Sequence, residues 1–127
     1  MNLENTQVQM RKGILEFCIL HIISRGEIYS TRIIHELKDA QIIVVEGTIY
    51  PLLTRLLKAS LLDYTWRESY TGPPQKHYKL TEKGQEFLEK LNVTWNELVA
   101  STNRIIEKKK HSIEIPIQEE IKIQKKS

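Results

Sequence analysis

The chain holds one cysteine, four prolines, five glycines, and two residues each of tryptophan and phenylalanine. A lone Cys18 cannot close an intramolecular disulfide, so a disulfide-stapled scaffold is excluded and a reducing cytoplasm is the expected compartment. Its apolar setting makes it a small buried hydrophobe with no chemical role required. Long hydrophobic runs are missing too. The longest, ILEFCILHII, is interrupted by Glu16 and His21, too short for a bilayer span, and the polar stretch Met1 to Gly13 does not read as a secretory leader. His21, His35, His77 and His111 lack ligand-like spacing, and no cysteine pair or glycine-rich phosphate loop occurs. Glu46 reads as a carboxylate at a helix start rather than as a general base. No metal, no cofactor, no membrane association and no enzymatic activity are expected.

With 127 residues the chain has the size of one domain with a modest core. Charged residues make up 28% and hydrophobic residues 40%, which suits a folded, mostly helical protein. A net charge of +3 and a pI near 9.0 permit an anionic partner without requiring one, so the placement of charge must decide.

From Gln9 to Ile23 apolar residues occupy nearly the whole helix circumference: Ile14, Leu15, Phe17, Cys18, Ile19, Leu20, Ile22 and Ile23. That is more than one core face needs, and it predicts a first helix that packs on its own core and on a partner. SRGEIYS interrupts it. Ser30 is positioned to cap a second helix with an Ile33, Ile34, Leu37 stripe ending near Asp39, and the β-branched run Ile42 to Val45 predicts an extended link.

The segment GTIYPLLTRLLKASLL, Gly47 to Leu62, reads as a third helix. At 100° per residue, Ile49, Leu52, Leu53, Leu56 and Leu57 fall within about 140° of one another. Gly47, Tyr50, Pro51, Thr54, Arg55 and Lys58 share the opposite side, which carries no carboxylate of its own. A helix face with cations, a hydroxyl and an aromatic but no acid suggests a polyanionic partner. Gly47 and Pro51 are tolerable together only near a helix start, where free backbone N–H groups and the positive end of the dipole can approach a phosphate or a base edge.

Next, Leu62, Tyr64 and Trp66 alternate with polar residues, the turn-rich ESYTGPPQ follows, and Lys76, Tyr78 and Leu80 alternate on the way back. This predicts a hairpin with Arg67, Lys76, His77 and Lys79 around its tip and Tyr70 between them. Three helices followed by a basic hairpin make a winged helix-turn-helix, in which the third helix enters the major groove and the hairpin lies on the flanking backbone or minor groove.

MRKGILEFCIL, VVEGTIYPLLTRLLKASLL and GPPQKHYKLTEKG strongly resemble the PadR family of bacterial transcriptional regulators, in particular its small members with a single C-terminal helix; the likeness covers roughly Met10 to Val99. It implies a dimeric cytoplasmic repressor that binds operator DNA through the third helix and wing, in some members released by a small aromatic ligand. By this resemblance Gly47, Thr48, Tyr50 and Arg55 match the recognition-helix motif, and Lys76, His77 and Tyr78 match the wing. Family wings often carry two adjacent cations before the tyrosine, where this chain has Gln75, Lys76 and His77. YSTRI replaces a common Tyr-Gly pair, so Ser30 and Thr31 are expected to meet phosphate through their hydroxyls. The expected DNA-facing set is therefore Ser30, Thr31, Gly47, Thr48, Tyr50, Pro51, Thr54, Arg55, Lys58, Lys76, His77 and Tyr78. A winged helix also serves as a small-molecule- or protein-binding module without DNA, which is the alternative.

After Thr81, an expected N-cap, a fourth helix is predicted to about Lys109, with Leu88, Leu91, Trp95, Leu98, Thr102 and Ile105 at alternating steps of three and four. Its length, about 42 Å at 1.5 Å per residue, exceeds what so small a domain covers. A second copy is the economical partner, with Ile14, Phe17, Cys18, Leu91, Trp95, Leu98, Thr102 and Ile105 as the expected dimer interface on a pseudo-palindromic operator. Trp95 is a candidate ligand site, since two indoles near a two-fold axis make a slot for flat aromatic molecules, with Asn92, Asn96 and Ser101 near its edges. The resemblance agrees, because some small PadR-like regulators hold planar drugs between paired tryptophans. The expected organisation is mainly α: a winged helix-turn-helix domain over 8–80, a long C-terminal dimerisation helix over 81–110, and a flexible tail over 111–127.

Overall fold

The computed structural model describes residues 1–110; the tail reading falls outside the described residues. The described elements are α1 (Leu3–Ser24), β1 (Ile28–Tyr29), α2 (Ser30–Asp39), α3 (Glu46–Lys58), β2 (Leu62–Ser69), β3 (Gly72–Leu80) and α4 (Glu82–Glu107). Residues 1–94 form one compact unit, and a second begins at Trp95 within α4.

Helix α1 begins well before Gln9, because Asn2 caps it by accepting from the Asn5 N–H, and Glu4 sits in the favourable first turn. Only its later half enters the core, through Leu15, Ile19, Leu20, Ile22 and Ile23. Gly26, at φ +141°, lets the chain turn at once into β1. This two-residue strand gives no periodic signal in the sequence, yet it closes the sheet in the order β1-β3-β2, pairing Ile28 with Tyr78 and Tyr29 with His77. That pairing corrects the expected capping of α2. Tyr29 is held in extended backbone and takes the cap position, so Ser30 becomes the first helical residue and no side chain caps the helix.

The core gathers α1 with Ile33, Ile34 and Leu37 of α2 and Ile49, Leu53 and Leu56 of α3. Helix α3 stops at Lys58 rather than running to Leu62. Ser60 adopts φ +62°, its N–H donates to the Leu57 carbonyl, and the Leu61 N–H donates to that of Leu56. This Schellman turn drives Leu61 and Leu62 into the core. The wing is tighter than ESYTGPPQ suggested: Ser69 pairs with Gly72, leaving Tyr70 and Thr71 as the turn, while Pro73 and Pro74 lie in β3 opposite an irregularity between Arg67 and Ser69. Prolines are accommodated where the ladder is already broken.

Thr81 is the expected N-cap of α4. Its hydroxyl oxygen accepts from the Gly84 N–H at 3.0 Å and its hydroxyl donates to the Ser60 carbonyl at 2.6 Å. Lys83 Nζ donates to the Ala59 carbonyl at 3.0 Å. The start of α4 thus satisfies the end of α3 and fixes where that helix points. Within the first unit, Leu88 of α4 is buried, and His21 and Asn92 are hydrogen-bonded at 2.7 Å between α1 and α4. In the second unit every described side chain is exposed.

Candidate nucleic-acid interface

The apolar periodicity of α3 turns one side into the core and leaves Gly47, Tyr50, Pro51, Thr54, Arg55 and Lys58 exposed together, with Thr48 half-buried at their edge. The helix starts at Glu46 after Val45, which offers no side-chain cap, so the first-turn N–H groups are not met by a capping side chain. Pro51 has no N–H for the Gly47 carbonyl. A Cβ built on Gly47 finds no atom within 4 Å. The fold itself therefore has no use for glycine there.

The stripe from Gly47 to Lys58 carries no carboxylate, but the exposed Glu46 stands beside it in the first turn of α3, and the fold brings further acids to it from outside the helix. Arg55 reaches Glu16 of α1, with Nη2 at 2.6 Å and Nε at 3.1 Å from Oε1. On the wing, Arg67 is ion-paired with Glu27, which also accepts from the Thr65 hydroxyl at 3.5 Å. Neither acid is visible as a partner in the sequence, because each pair joins segments brought together only by the fold. Lys12 was missed for the same reason: it flanks α3 with Leu15, Thr48, Pro51, Leu52 and Arg55 around a cleft of about 310 Å³.

The wing residues divide. Lys76 lies over two aromatic faces, 4.5 Å from the Tyr64 ring centre and 5.5 Å from that of Trp66, which shields the exposed aromatics of β2. His77 is half-buried with its ring 5.4 Å from that of Tyr29, and it lines a pocket of about 390 Å³ together with Arg25 and Arg32. Tyr78 departs from the expected DNA-facing set: at 6% exposure its ring belongs to the core. Burial pushes its phenol above the usual range, and Tyr50 and Tyr64 nearby add to the effect. Tyr78 thus backs Tyr50 and Tyr64 rather than facing solvent. Ser30 is half-buried and Thr31 exposed at the uncapped start of α2.

The residues expected at a dimer contact fall into two groups. Ile14, Phe17, Cys18 and Leu91 are half-buried in the first unit, where burial raises the Cys18 thiol pKa. Trp95, Leu98, Thr102 and Ile105 are exposed in the second. Among the described residues no His/Cys/Asp/Glu group could hold a metal ion, and no helix is long and apolar enough to cross a membrane.

The sequence pattern of the transcriptional regulator PadR-like family matches residues 19–90. A PadR-like transcription factor from Bacteroides fragilis is 52% identical, with a TM-score of 0.67 over 80% of this chain and 98% of that one. A PadR-like transcriptional regulator from Bacillus cereus is 39% identical, with a TM-score of 0.71 over 80% of this chain and 99% of that one. Bacillus subtilis PadR in complex with operator DNA shares the fold at 19% identity, with a TM-score of 0.55 over 87% of this chain and 57% of that one. A comparison with curated proteins gives no match.

Proposed function

The chain belongs to the PadR-like family of transcriptional regulators, and from that premise we propose that it is a homodimeric repressor that reads operator DNA with α3 and steadies itself on the flanking backbone with the β2–β3 wing. Gly47 carries the reading. A helical glycine costs up to about 1 kcal/mol against alanine, and nothing in the described chain fills the space its missing Cβ leaves. Gly13 is equally open, but it lies mid-helix, whereas Gly47 stands at an uncapped helix start beside exposed Tyr50, Thr54 and Lys58. Such a start lets the backbone approach DNA closely, with N–H groups and the helix dipole directed at negative charge. The relative crystallised with operator DNA shares this fold.

The second unit supports a homodimer. Trp95, Leu98, Val99, Ile105 and Ile106 are all exposed on α4, and so short a helical segment has no core of its own. A second copy covers it, with Ile14, Phe17, Cys18, Leu91 and Thr102 completing the interface, and the two-fold symmetry fits a pseudo-palindromic operator. Trp95 and its symmetry mate then form the slot for a flat aromatic ligand. Such a ligand relieves repression by favouring a different separation of the two α3 helices, and it does so only by its differential affinity for the two arrangements.

Anisotropy titration of a labelled duplex across a salt series tests DNA binding itself. Log K should fall with log salt at about 0.9 per phosphate neutralised, and Lys58→Ala or Lys76→Ala should each flatten the slope by about one such step. A slope near zero, with both variants like wild type, supports instead a winged-helix module that binds small molecules or proteins.

A further inference from the structure

Each arginine on the two DNA-facing elements is held by a carboxylate from outside those elements. Arg55 of α3 gives its Nε and Nη2 to Oε1 of Glu16 on α1, at 3.1 and 2.6 Å. Arg67 of β2 pairs with Glu27 from the turn before β1. The partners stand 39 and 40 residues apart, so neither pair is a by-product of helix or strand periodicity. The arginine side chains remain 64% and 55% exposed. Ion pairs this open add little to stability, which leaves their charge and geometry to be accounted for.

We infer that Glu16 and Glu27 are specificity-determining residues of the DNA interface, cancelling the charge of Arg55 and Arg67 toward non-cognate DNA while orienting both for the cognate site. This rests on the DNA-binding reading above. Non-cognate complexes are held by loosely placed phosphate contacts. There a neutralised arginine offers no net attraction, and its carboxylate repels the backbone. In a cognate complex the protein is docked in one register. Glu16 occupies the Nε/Nη2 edge of Arg55, leaving Nη1 for a base or a fixed phosphate, and the guanidinium between carboxylate and DNA screens the repulsion. Because the side chain is already oriented, less ordering accompanies the contact. The acids thus discriminate chiefly by weakening the wrong complex. Glu16 and Glu27 act as positioning residues and need not touch DNA.

The test uses two duplexes of equal length: the sequence the full chain enriches from a randomised library, and a shuffled version of it. Glu16→Gln keeps an oxygen acceptor and removes the charge. Its affinity for the shuffled duplex should rise about three- to tenfold, with a salt slope steeper by about 0.9. Its affinity for the enriched duplex should change less than twofold, so the ratio between them falls. Added to Arg55→Ala, the same substitution should raise binding to both duplexes by the same factor and leave their ratio unchanged, because the bare carboxylate repels any phosphate backbone and Glu16 discriminates between sequences only through Arg55. Glu27→Gln, tested against Arg67→Ala, should repeat the pattern on the wing. In the single Glu→Gln variants, an equal change on both duplexes, or none on either, overturns the inference while leaving DNA binding standing. A wild-type chain that enriches no sequence overturns the sequence-specific reading itself, and this inference with it.

Discussion

Gly84 of α4 passes so close to Leu61 that a Cβ on it would stand 2.0 Å from the Leu61 carbonyl oxygen. No real side chain tolerates that distance, and the obstacle is backbone, which cannot swing aside. Together with the Thr81 hydroxyl and the Lys83 ammonium, the contact seats α4 on the end of α3. The orientation of the proposed reading helix thus depends on α4 as well as on its own core face.

Gly84→Ala should destabilise the fold by about 1–3 kcal/mol, the usual cost of overpacking. A thermal melt followed by circular dichroism should show a Tm lower by at least several degrees. An unchanged Tm would mean that α4 does not sit tightly against Leu61.

Gly47→Ala should act in the opposite direction on stability. The new methyl meets nothing within 4 Å, so the gain in helix propensity should raise stability by roughly 0.5–1 kcal/mol. Operator affinity should fall at least tenfold in the same variant. A variant that melts higher and binds equally well would remove the main support for α3 as the reading helix.

Much of this was legible in the sequence, and the rest was not, for physical reasons. The apolar arc of α3 could be read because a 3.6-residue period is local, and Thr81 announced α4 through its cap. Strand β1 has two residues and exists only because β3 lies beside it. The same long-range pairing moved the α2 cap from Ser30 to Tyr29. Glu16 and Glu27 sit in segments whose sequence says nothing of Arg55 or Arg67. Tyr78 enters the DNA-facing set only through the resemblance to the wing motif, which gives a residue its place along β3 without saying that its ring is buried.

The buried tyrosine gives a pH signature. The folded-state pKa of Tyr78 lies above its ordinary value of about 10, so the native state retains this proton longer than the unfolded chain does. Its contribution is fully present below about pH 10 and is lost as pH rises through the raised value. Cys18, also raised by burial, begins the same alkaline loss from its ordinary value of about 9. Tyr78→Phe should leave stability at pH 7 within about 1 kcal/mol of wild type, and the urea midpoint above pH 10 should fall less steeply. An alkaline limb unchanged in the variant would rule out this source.

Placing an aspartate on the exposed apolar stripe tests the assembly. Leu98→Asp together with Ile105→Asp should convert a dimer to a monomer by light scattering, with far-UV circular dichroism of the first unit retained. A dimer that survives both changes has its interface elsewhere.

Selection from a randomised duplex library, read out by sequencing, decides whether the α3 face reads a DNA sequence. The wild-type chain should enrich a pseudo-palindromic sequence whose half-sites lie about 10 bp apart or a multiple of that, with enrichment lost for Gly47→Ala and for the Leu98→Asp, Ile105→Asp chain. Recovery of no sequence above the starting library, or of the same sequence by all three proteins, would contradict that role of α3.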